Sequence, residues 1–356
     1  MRILKPSLKR LTAIAAATTV LFAFQGAHAA EPEHTFKMAT GWSGGPLTTI
    51  GAEAFAKNLD QLTDGRIKVQ VFTGGALGNA LKVSETVKNG VAEMGHTWMG
   101  YDWGKDSATV LFAGYPGSPD SERMLHWLYE GGGVELQREF REEKFGVISF
   151  PLFMRTAEVF LHSRKPVRTL EDLKGLKLRT AGAWLEMAQS LGAAPVTTPG
   201  GDVYPMLERG AIDATEWGTP WENVSPGFHK VAKYVIIPGV HQPVAPFELV
   251  VNQKAWAKLS DKDKQAVETA AKLTTLNSWM RIGQEDAKAL ELFEANGNEI
   301  IELDPEVQYR TQEIAKEWAE KQAANNEWFA RVYKQQEEFK ALWKDADAYR
   351  DVKVRE

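Results

Sequence analysis

The pattern of apolar and polar residues along the chain predicts two successive blocks in which strands alternate with helices. In the first block, residues 66–72 carry apolar side chains at every second position, which is the spacing of a strand. A helical pattern over residues 46–62 precedes this strand, and a helix through Val83 and Val87 separates it from a strand near residues 91–95. Such alternation is typical of an α/β domain with a largely parallel sheet.

The second block has the same order of elements without a repeat of the sequence. Its predicted strands are residues 147–153, 176–179 and 211–215, and its predicted helices are residues 183–191 and 204–209. We therefore expect two α/β units in succession.

Two long helices are predicted after these blocks. From Ser260 to Leu290 apolar residues recur in steps of three and four, which predicts one helix of more than about 30 residues. At ~1.5 Å per residue such a helix exceeds ~45 Å and is long enough to brace two domains. The last helix is expected to begin after Pro305 and to break near Asn325 and Asn326.

The first residues have the pattern of an export signal. Four basic residues within positions 2–10 precede the uncharged stretch 11–24, and Ala27 and Ala29 supply the small residues of a cleavage site. The apolar stretch is too short to span a bilayer. We therefore expect residues 1–29 to direct the chain to the periplasm and to be removed near Ala29.

Charge and composition exclude several classes of protein. Residues 1–29 contain four of the 42 basic residues and none of the 47 acidic ones, so the remaining chain has nine more acidic than basic residues. This excess of acid argues against binding to nucleic acid. The sequence has no cysteine, which rules out disulfides and thiolate chemistry. It also lacks a nucleophile elbow and a zinc-protease pair of histidines, which argues against an enzyme.

Arg179 is the most informative cation because it ends the apolar strand of residues 176–179. Ligands of open α/β sheets bind outside the carboxyl ends of the strands. A guanidinium at that place grips a carboxylate with two parallel hydrogen bonds, and a surface salt bridge is the alternative interpretation.

Glu216 and Trp217 occupy the corresponding place after the strand of residues 211–215. Trp217 either walls a pocket or caps the core, while Glu216 ligates a metal ion, orients Arg179 or is simply exposed. His96, at the edge of another strand, either faces a cleft or is a hydrogen-bonded structural histidine. Further tryptophans lie near predicted strand–helix turns and admit an aromatic-walled pocket, among them Trp42, Trp98, Trp103, Trp184 and Trp221.

Four stretches together resemble the solute receptors of tripartite ATP-independent periplasmic (TRAP) transporters. The stretch 169–179 (TLEDLKGLKLR) resembles the arginine motif of that family and ends in Arg179. The stretches 94–105, 127–133 and 216–221 resemble the subgroup that binds 2-oxo and 2-hydroxy acids. The resemblance covers nearly the whole chain after residue 29. It implies a receptor that captures a small organic carboxylate and hands it to the TRAP membrane subunits for sodium-driven uptake.

The resemblance also implies the fold and its division. We expect a two-lobed α/β fold of the periplasmic binding protein type, with a hinge, a long lobe-spanning helix and a long C-terminal helix. The first lobe is assigned residues 30–154 and 246–292. The second lobe is assigned residues 155–245 and 293–345, which include the C-terminal helix, and residues 346–356 form a tail.

A ligand site follows from the same resemblance. Arg179 is expected to anchor the carboxylate, with Trp217 and Tyr101 as aromatic walls. Glu216 and Trp217 are expected to help hold a sodium or calcium ion that bridges the protein and the substrate. No other cofactor is expected.

The chain departs from the family pattern at this site. The paired tyrosines of the subgroup are reduced to Tyr101, and Glu158 stands where the family has a glutamine, with Arg155 close to the same register. Gln242 is a further candidate for contact with the substrate and the metal, and Glu248 is the alternative in that stretch.

Other interpretations stay open at this point. They are a receptor for another carboxylate such as an aromatic acid, a receptor for an ABC transporter or a sensor kinase, and a periplasmic enzyme that processes carboxylates. The C-terminal helix adds a question of assembly, because its apolar residues span more than one helix face; they include Trp318, Trp328, Phe329, Val332 and Tyr333. A homodimer through this helix is expected, and packing across both lobes of its own chain is the alternative.

Overall fold

The computed structural model describes residues 31–350, except for the side chains of residues 347 and 348. The expected export signal and residues 351–356 lie outside the described part. The strands are β1 (His34–Thr40), β2 (Ile67–Phe72), β3 (Met94–Thr97), β4 (Val147–Arg155), β5 (Leu161–Ser163), β6 (Lys177–Arg179), β7 (Ala194–Val196), β8 (Ala214–Thr215), β9 (Tyr234–Ile237), β10 (Ala245–Asn252) and β11 (Glu299–Glu302).

Helices cover both sheets and form the C-terminal end of the described chain. They are α1 (Glu53–Leu62), α2 (Val83–Lys88), α3 (Thr109–Ala113), α4 (Ser121–Glu130), α5 (Gly133–Phe145), α6 (Trp184–Ser190), α7 (Gly200–Glu208), α8 (Pro220–Val224), α9 (Gln253–Ala257), α10 (Asp261–Ala295), α11 (Pro305–Asn325) and α12 (Glu327–Arg350). A π-helical turn, Leu47–Ala52, leads into α1, so the helix predicted over residues 46–62 is present with a wider first turn.

The strands form two sheets, one in each lobe of the predicted α/β fold. The first has the order β2–β1–β3–β10–β4, and the second has the order β11–β9–β5–β8–β6–β7. The expectation of largely parallel sheets is wrong in detail, because β10 runs antiparallel to β3 and β4, and β5 runs antiparallel to β8 and β9. Strands β5 and β10 each come directly after a short segment that passes from one sheet to the other. A parallel pair needs a long crossover connection within one sheet, and these two strands are not reached by one.

Two short segments carry the chain between the sheets, and we call them the hinge crossings. Residues 156–160 join β4 to β5, and residues 238–244 join β9 to β10. The two crossings contact each other through their backbones, since the amide of Glu158 donates to the carbonyl of Gln242 at 3.1 Å. Both crossings therefore lie side by side at the junction of the lobes.

The long helix α10 ties the two lobes together. It has 35 residues, in agreement with the predicted length, and the side chain of Ser260 caps its first turn by accepting from the amide of Asp263 at 3.1 Å. Its Ser278 accepts from the amide of Met154 in β4 at 3.0 Å. Further along, Asp286 accepts from Thr156 in the first crossing at 3.0 Å and from the amide of Trp221 in α8 at 2.9 Å.

The last two helices fold back onto their own chain: α11 contacts α6 of the second lobe, and α12 contacts α3 and α5, which lie between β3 and β4. As predicted, the helical run breaks at Asn326, whose backbone is extended. On α12, the side chains of Phe329 and Val332 are fully buried, and Gln336 donates to the carbonyl of Leu111 in α3 at 2.8 Å. The indole of Trp328 donates to Glu143 of α5 at 3.0 Å. These contacts match the alternative in which the helix packs on its own chain.

None of the helices within residues 31–350 combines the length and the apolar character that crossing a membrane requires.

Candidate ligand-binding site

A small cavity lies where β4, β6 and β8 end, between elements of the two sheets. It offers about 30 Å³ to the centre of a water-sized sphere, room for roughly two or three water molecules. Its lining combines aromatic, cationic and acidic side chains, namely Trp42, Trp98, Tyr101, Arg155, Glu158, Arg179, Ala181, Glu216, Trp217, His241, Gln242 and Phe247. Seven of the eight residues predicted to contact the substrate are in this set.

Arg179 lies at the carboxyl end of β6, as the strand pattern predicted, and its side chain is only 2% exposed. One side of the guanidinium is fixed, because Nη2 and Nε donate to the carbonyl of Thr198 at 3.0 and 3.3 Å. The Nη1 atom makes long contacts, at 3.5 Å, to the carbonyl and the carboxylate of Glu216. The group is held in place while Nη1 keeps weak partners that a ligand can replace.

Glu216 and Trp217 follow β8 and face Arg179. The carboxylate oxygen Oε1 of Glu216 accepts from the amide of Ala181 at 2.9 Å. Burial raises the pKa of Glu216, although the charge of Arg179 opposes that shift. The Trp217 ring lies under the guanidinium of Arg179, with 5.1 Å between the guanidinium carbon and the ring centroid. Trp217 therefore walls the cavity and supports the arginine.

A second buried cation, Arg155, stands at the end of β4. Its Nη1 donates to Glu158 Oε1 at 2.6 Å and to the carbonyl of Trp217 at 3.0 Å, while Nε forms an ion pair with Glu222. Burial raises the pKa of Glu222 to about 7 against the opposing charge of Arg155. Arg155 also lies over the Phe247 ring, 4.5 Å from its centroid. Its ion pairs hold it in position between the lobes.

Three of the lining residues form a group that fits a metal ion. Potential ligand atoms of Glu158, Glu216 and His241 all lie within 4.8 Å of one another, and all three residues are buried. Nε2 of His241 lies 3.3 Å from Oε2 of Glu158. Two carboxylates and an imidazole are ordinary ligands for a dication.

Aromatic rings form the wall contributed by the first lobe. Tyr101 lies in a 3₁₀ turn after β3, and its ring centroid is 5.3 Å from that of Trp98 and 6.2 Å from that of Trp42. Burial raises the pKa of Tyr101, although Arg179 and Arg155 oppose that shift. The phenol is therefore neutral and able to donate a hydrogen bond to an anion.

The structure does not bring His96 into the cavity. Its Nδ1 accepts from the indole of Trp42 at 3.1 Å, and its ring packs against Phe153 and Phe247. Burial lowers the pKa of His96 to about 3, so the ring is neutral at ordinary pH. His96 is thus the structural histidine of the two alternatives, and it orients a tryptophan of the cavity wall.

Gln242 and Glu248 were the two alternative ligand residues of one stretch, and their side chains lie in different places. Gln242 lines the cavity, but its amide nitrogen donates to the carbonyls of Ala113 and Val244 at 2.8 and 2.7 Å. Glu248 points into a different buried cluster, where both of its oxygens accept from Arg141. Only Gln242 is therefore close to the candidate site.

Several residues of the cavity region were missed by the sequence analysis. They are His241, Phe247 and Glu222, which pairs with Arg155 behind the cavity wall; the small residue Ala181 also lines the cavity and was missed as well. His241 stands next to Gln242, but its contact with Glu158 spans 83 positions and leaves no local signal. Glu158 was identified from the family resemblance, because this residue stands where the family has a glutamine.

Comparison with known proteins agrees with this geometry. The family model described as "Bacterial extracellular solute-binding protein, family 7" matches residues 38–326. The chain belongs to this family. Its members are solute receptors of TRAP transporters and not enzymes, and they are periplasmic proteins. The TRAP receptor and the two-lobed α/β fold predicted from the sequence are confirmed.

Individual relatives indicate which ligands similar receptors bind. A monocarboxylate 2-oxoacid-binding periplasmic protein of Nostoc sp. is 32% identical over 336 residues, covering 92% of this chain and 91% of that protein. A TRAP solute binding protein from Bordetella bronchiseptica, described as a mixed-occupancy dimer with calcium and picolinate, matches with a TM-score of 0.85 at 27% identity, covering 90% of this chain and 96% of its own. A third, from Pseudoalteromonas atlantica with bound sodium and pyruvate, matches with a TM-score of 0.83 at 29% identity, covering 90% and 99%.

Proposed function

We propose that this TRAP receptor binds the monoanion of a short 2-oxo or 2-hydroxy acid together with a bridging cation. One observation carries the proposal: the same small cavity holds Arg179 and the carboxylates of Glu158 and Glu216. The arginine attracts an acid anion, and the carboxylates repel it unless a cation lies between them. An acid and a cation bound together satisfy both sets of groups.

Arg179 is the proposed anchor for the carboxylate of the ligand. Its Nη1 has two long contacts of 3.5 Å to Glu216, whereas Nη2 and Nε are fixed by Thr198. A carboxylate at Nη1 gains a short, charge-assisted hydrogen bond in a site that excludes bulk water. The phenol of Tyr101, on the opposite wall, is the proposed second donor.

Glu158, Glu216 and His241 are the proposed ligands of the cation. This set keeps Glu216 from the sequence-based expectation and replaces Trp217 and Gln242. Trp217 and Gln242 offer only neutral amide oxygens, and the carbonyl of Trp217 already accepts from Arg155. A 2-oxo or 2-hydroxy acid would complete the coordination, because its carboxylate and its neighbouring oxygen form a chelate. The relatives described with calcium or sodium and a small acid support a cation together with the acid.

The size of the cavity favours a short acid. Trp42 and Trp217 line both this cavity and an outer one of about 250 Å³, so they stand between the two. An acid of three or four carbons requires the least enlargement of this cavity, whereas a longer chain has to displace one of the two indoles. Aromatic acids are therefore the second choice.

The lobe boundaries expected from the sequence belong to the same proposal. Residues 30–154 and 246–292 would move as one lobe and residues 155–245 as the core of the other, with the hinge crossings between them. The C-terminal helix α12, assigned by sequence to the second lobe, contacts α3 and α5 next to the first sheet. Cleavage near Ala29 would release the receptor into the periplasm.

The expected homodimer remains a proposal, and fewer apolar residues of α12 are available for its interface than the sequence suggested. Trp328, Phe329 and Val332 are buried in their own chain, while Leu342 and Tyr349 near the end of α12 are 73% and 90% exposed. A dimer would therefore use the end of this helix. Light scattering at micromolar concentration tests it, and a mass near that of one chain contradicts it.

The test of the proposed function is a thermal-shift series on the purified receptor after dialysis against a chelator. Pyruvate, lactate, acetate and benzoate are added with and without a cation. A ligand that binds the native state raises its melting temperature by mass action. We expect a rise with pyruvate or lactate that depends on the cation, and little change with acetate. No shift with any acid and any cation would contradict the proposal.

A further inference from the structure

The hinge crossings form the floor of a second and much larger cavity, which we call the hinge groove. Its volume is about 820 Å³, and the loop of residues 115–119, helix α11 and helix α12 form its sides. Ala157 and Val240 line the hinge groove, whereas their neighbours in the chain, Glu158 and His241, line the ligand cavity. The two crossings therefore separate the hinge groove from the ligand cavity.

The two helical walls of the hinge groove are attached to different lobes. Gln308, Gln312 and Lys316 form one wall along α11, which follows β11 of the second sheet. The indole of Trp318 ties the same helix to the second lobe by donating to Glu186 of α6 at 2.8 Å. The opposite wall is α12, which packs on α3 and α5 of the first lobe. A change in the angle between the lobes therefore changes the width of the groove.

The composition of the lining fits an organic anion with an apolar body. Apolar and aromatic side chains cover much of the surface, among them Pro238, Val240, Pro243, Tyr115, Tyr333 and Trp343. The charged side chains are those of Arg123, Lys316, Lys340 and Lys344, with Glu337 as the one carboxylate. A local excess of positive charge attracts anions, and here it occurs on a chain that is acidic as a whole. The volume lies within the range of about 300–1,000 Å³ that is usual for small-molecule sites.

Protein carboxylates already pair closely with two of the four cations. Lys340 contacts Glu337 at 2.6 Å, and Arg123 forms an ion pair with Asp120. Lys316 is held more loosely, because the carboxylate on the next turn of α11 is 3.9 Å away and 73% of the lysine side chain is exposed. The lysine of the opposite wall, at position 344, is exposed as well. One lysine on each wall is thus available to an anion.

We propose that the hinge groove binds an amphipathic organic anion that regulates the affinity of the receptor for its acid. Lys316 and Lys344 attract the acidic group from opposite walls, and the apolar body lies on the hinge crossings. On the side of the ligand cavity the lobes are close together, since a Cβ on Gly45 of the first lobe would lie 3.2 Å from Oγ of Ser225 in the second.

The position of the hinge groove determines the direction of this regulation. Opening the lobes on the side of the ligand cavity narrows the space on the other side of the crossings. An anion that fills the groove therefore opposes opening and favours the closed state. It tightens the binding of the acid, and by linkage the acid tightens the binding of the anion by the same factor.

The experiment uses anilinonaphthalene sulfonate as the probe, because it combines aromatic rings with one anionic group and its fluorescence rises in apolar sites. The probe is titrated into the purified receptor alone and into receptor saturated with pyruvate in a buffer with sodium and calcium. The test variant combines Lys316→Glu and Lys344→Glu. The control combines Lys321→Glu and Lys334→Glu, two exposed positions of the same helices outside the lining of the groove. A further variant, Ala341→Trp, fills part of the groove without a change of charge.

We expect the test variant to bind the probe at least about tenfold more weakly than the native receptor, because two charge-assisted contacts are lost. The control should stay within about threefold, since charges outside the groove are screened. Ala341→Trp should also weaken the binding of the probe. Pyruvate should raise the affinity for the probe about fivefold or more, and the probe should raise the affinity for pyruvate equally.

Two results overturn the inference. One is an equal loss of probe binding in the test and control variants, and the other is probe binding that pyruvate leaves unchanged. If pyruvate itself does not bind, the proposed function fails, whereas the titrations of the probe alone still decide whether the hinge groove is a binding site.

Discussion

The backbone oxygen of Glu158 lies 2.0 Å from the position that a Cβ atom on Gly239 would occupy. The first hinge crossing thus packs against the second so closely that a methyl group does not fit between them. The side chain of Glu158 lines the cavity, and its backbone packs against Gly239. The spacing of the two crossings therefore affects the geometry of the site.

Gly239→Ala should therefore weaken ligand binding without any change to a cavity side chain. The added methyl group pushes Glu158 away from Glu216 and His241, and overpacking of this kind costs about 1–3 kcal/mol of stability. Calorimetry and urea unfolding measure the two effects. The matched control is Gly283→Ala on the exposed side of α10, where the added Cβ meets nothing within 4 Å. That change should leave binding intact and raise helix stability by up to about 1 kcal/mol.

Substitution of Arg179 should remove the anchor of the acid. Arg179→Ala is expected to weaken binding by about 2–5 kcal/mol, because a desolvated charge pair loses one partner. Arg179→Lys should lose much of the affinity as well, since an ammonium does not reproduce the planar fork that contacts Thr198 and the ligand. Lys177→Ala, an exposed position on the same strand, is the control. An affinity of Arg179→Ala within threefold of the native value would rule out this role.

The stability of the second lobe should depend on pH through His162. Both ring nitrogens of this residue are buried without a hydrogen-bond partner among the described residues, and burial lowers its pKa from 6.5 to about 3. The unfolded chain therefore binds a proton at His162 below pH 6.5, whereas the folded chain binds it only below about pH 3. Stability from this group is complete above pH 6.5 and falls by about 1.4 kcal/mol per pH unit as the pH drops through that window. In urea unfolding between pH 4 and 6.5, the free energy of unfolding of His162→Leu should depend less steeply on pH than that of the native chain. The control is His126→Gln at an exposed position of α4, which should keep the native slope.

Arg141 should be required for stability, because it is fully buried between two carboxylates. It forms ion pairs with Asp102 at 3.0 Å and with Glu248 at 2.6 Å. Burial raises the pKa of Glu248 to about 7, against the opposing charge of Arg141. Arg141→Met leaves Glu248 without a cation and Asp102 with Lys105 alone, and it should cost about 3–5 kcal/mol in urea unfolding. On the same helix, Arg138 pairs with Glu268 at the surface, and Arg138→Met should cost no more than about 1 kcal/mol.

The parts of the fold that were predicted from sequence are those with a strong local period. Helix α10 and the break at Asn326 follow directly from the spacing of apolar residues and from a polar pair in a helical run. Strand β10 was missed, although all but its last residue are buried, because Pro246 and Glu248 interrupt its apolar pattern. The partner that makes a buried Glu248 tolerable is Arg141, 107 positions earlier, and no local pattern reports such a pair.

The candidate site divides in the same way. The position of Arg179 at the end of a strand is visible in the sequence, because strand ends and turns are local features. The cluster of Glu158 and His241 depends on how two crossings are brought side by side, 83 positions apart. Family resemblance drew attention to Glu158, and only the structure adds the histidine.

The hinge crossings have a consequence for how the receptor is emptied. Two of the three proposed cation ligands, Glu158 and His241, stand on the crossings themselves, while Glu216 belongs to the second lobe. Separating the lobes bends the crossings and so pulls the ligand set apart. The membrane subunits would then have no need to compete for the acid or the ion with groups of their own. In this proposal, contacts with the outer surfaces of the two lobes would be sufficient to release the acid and the ion.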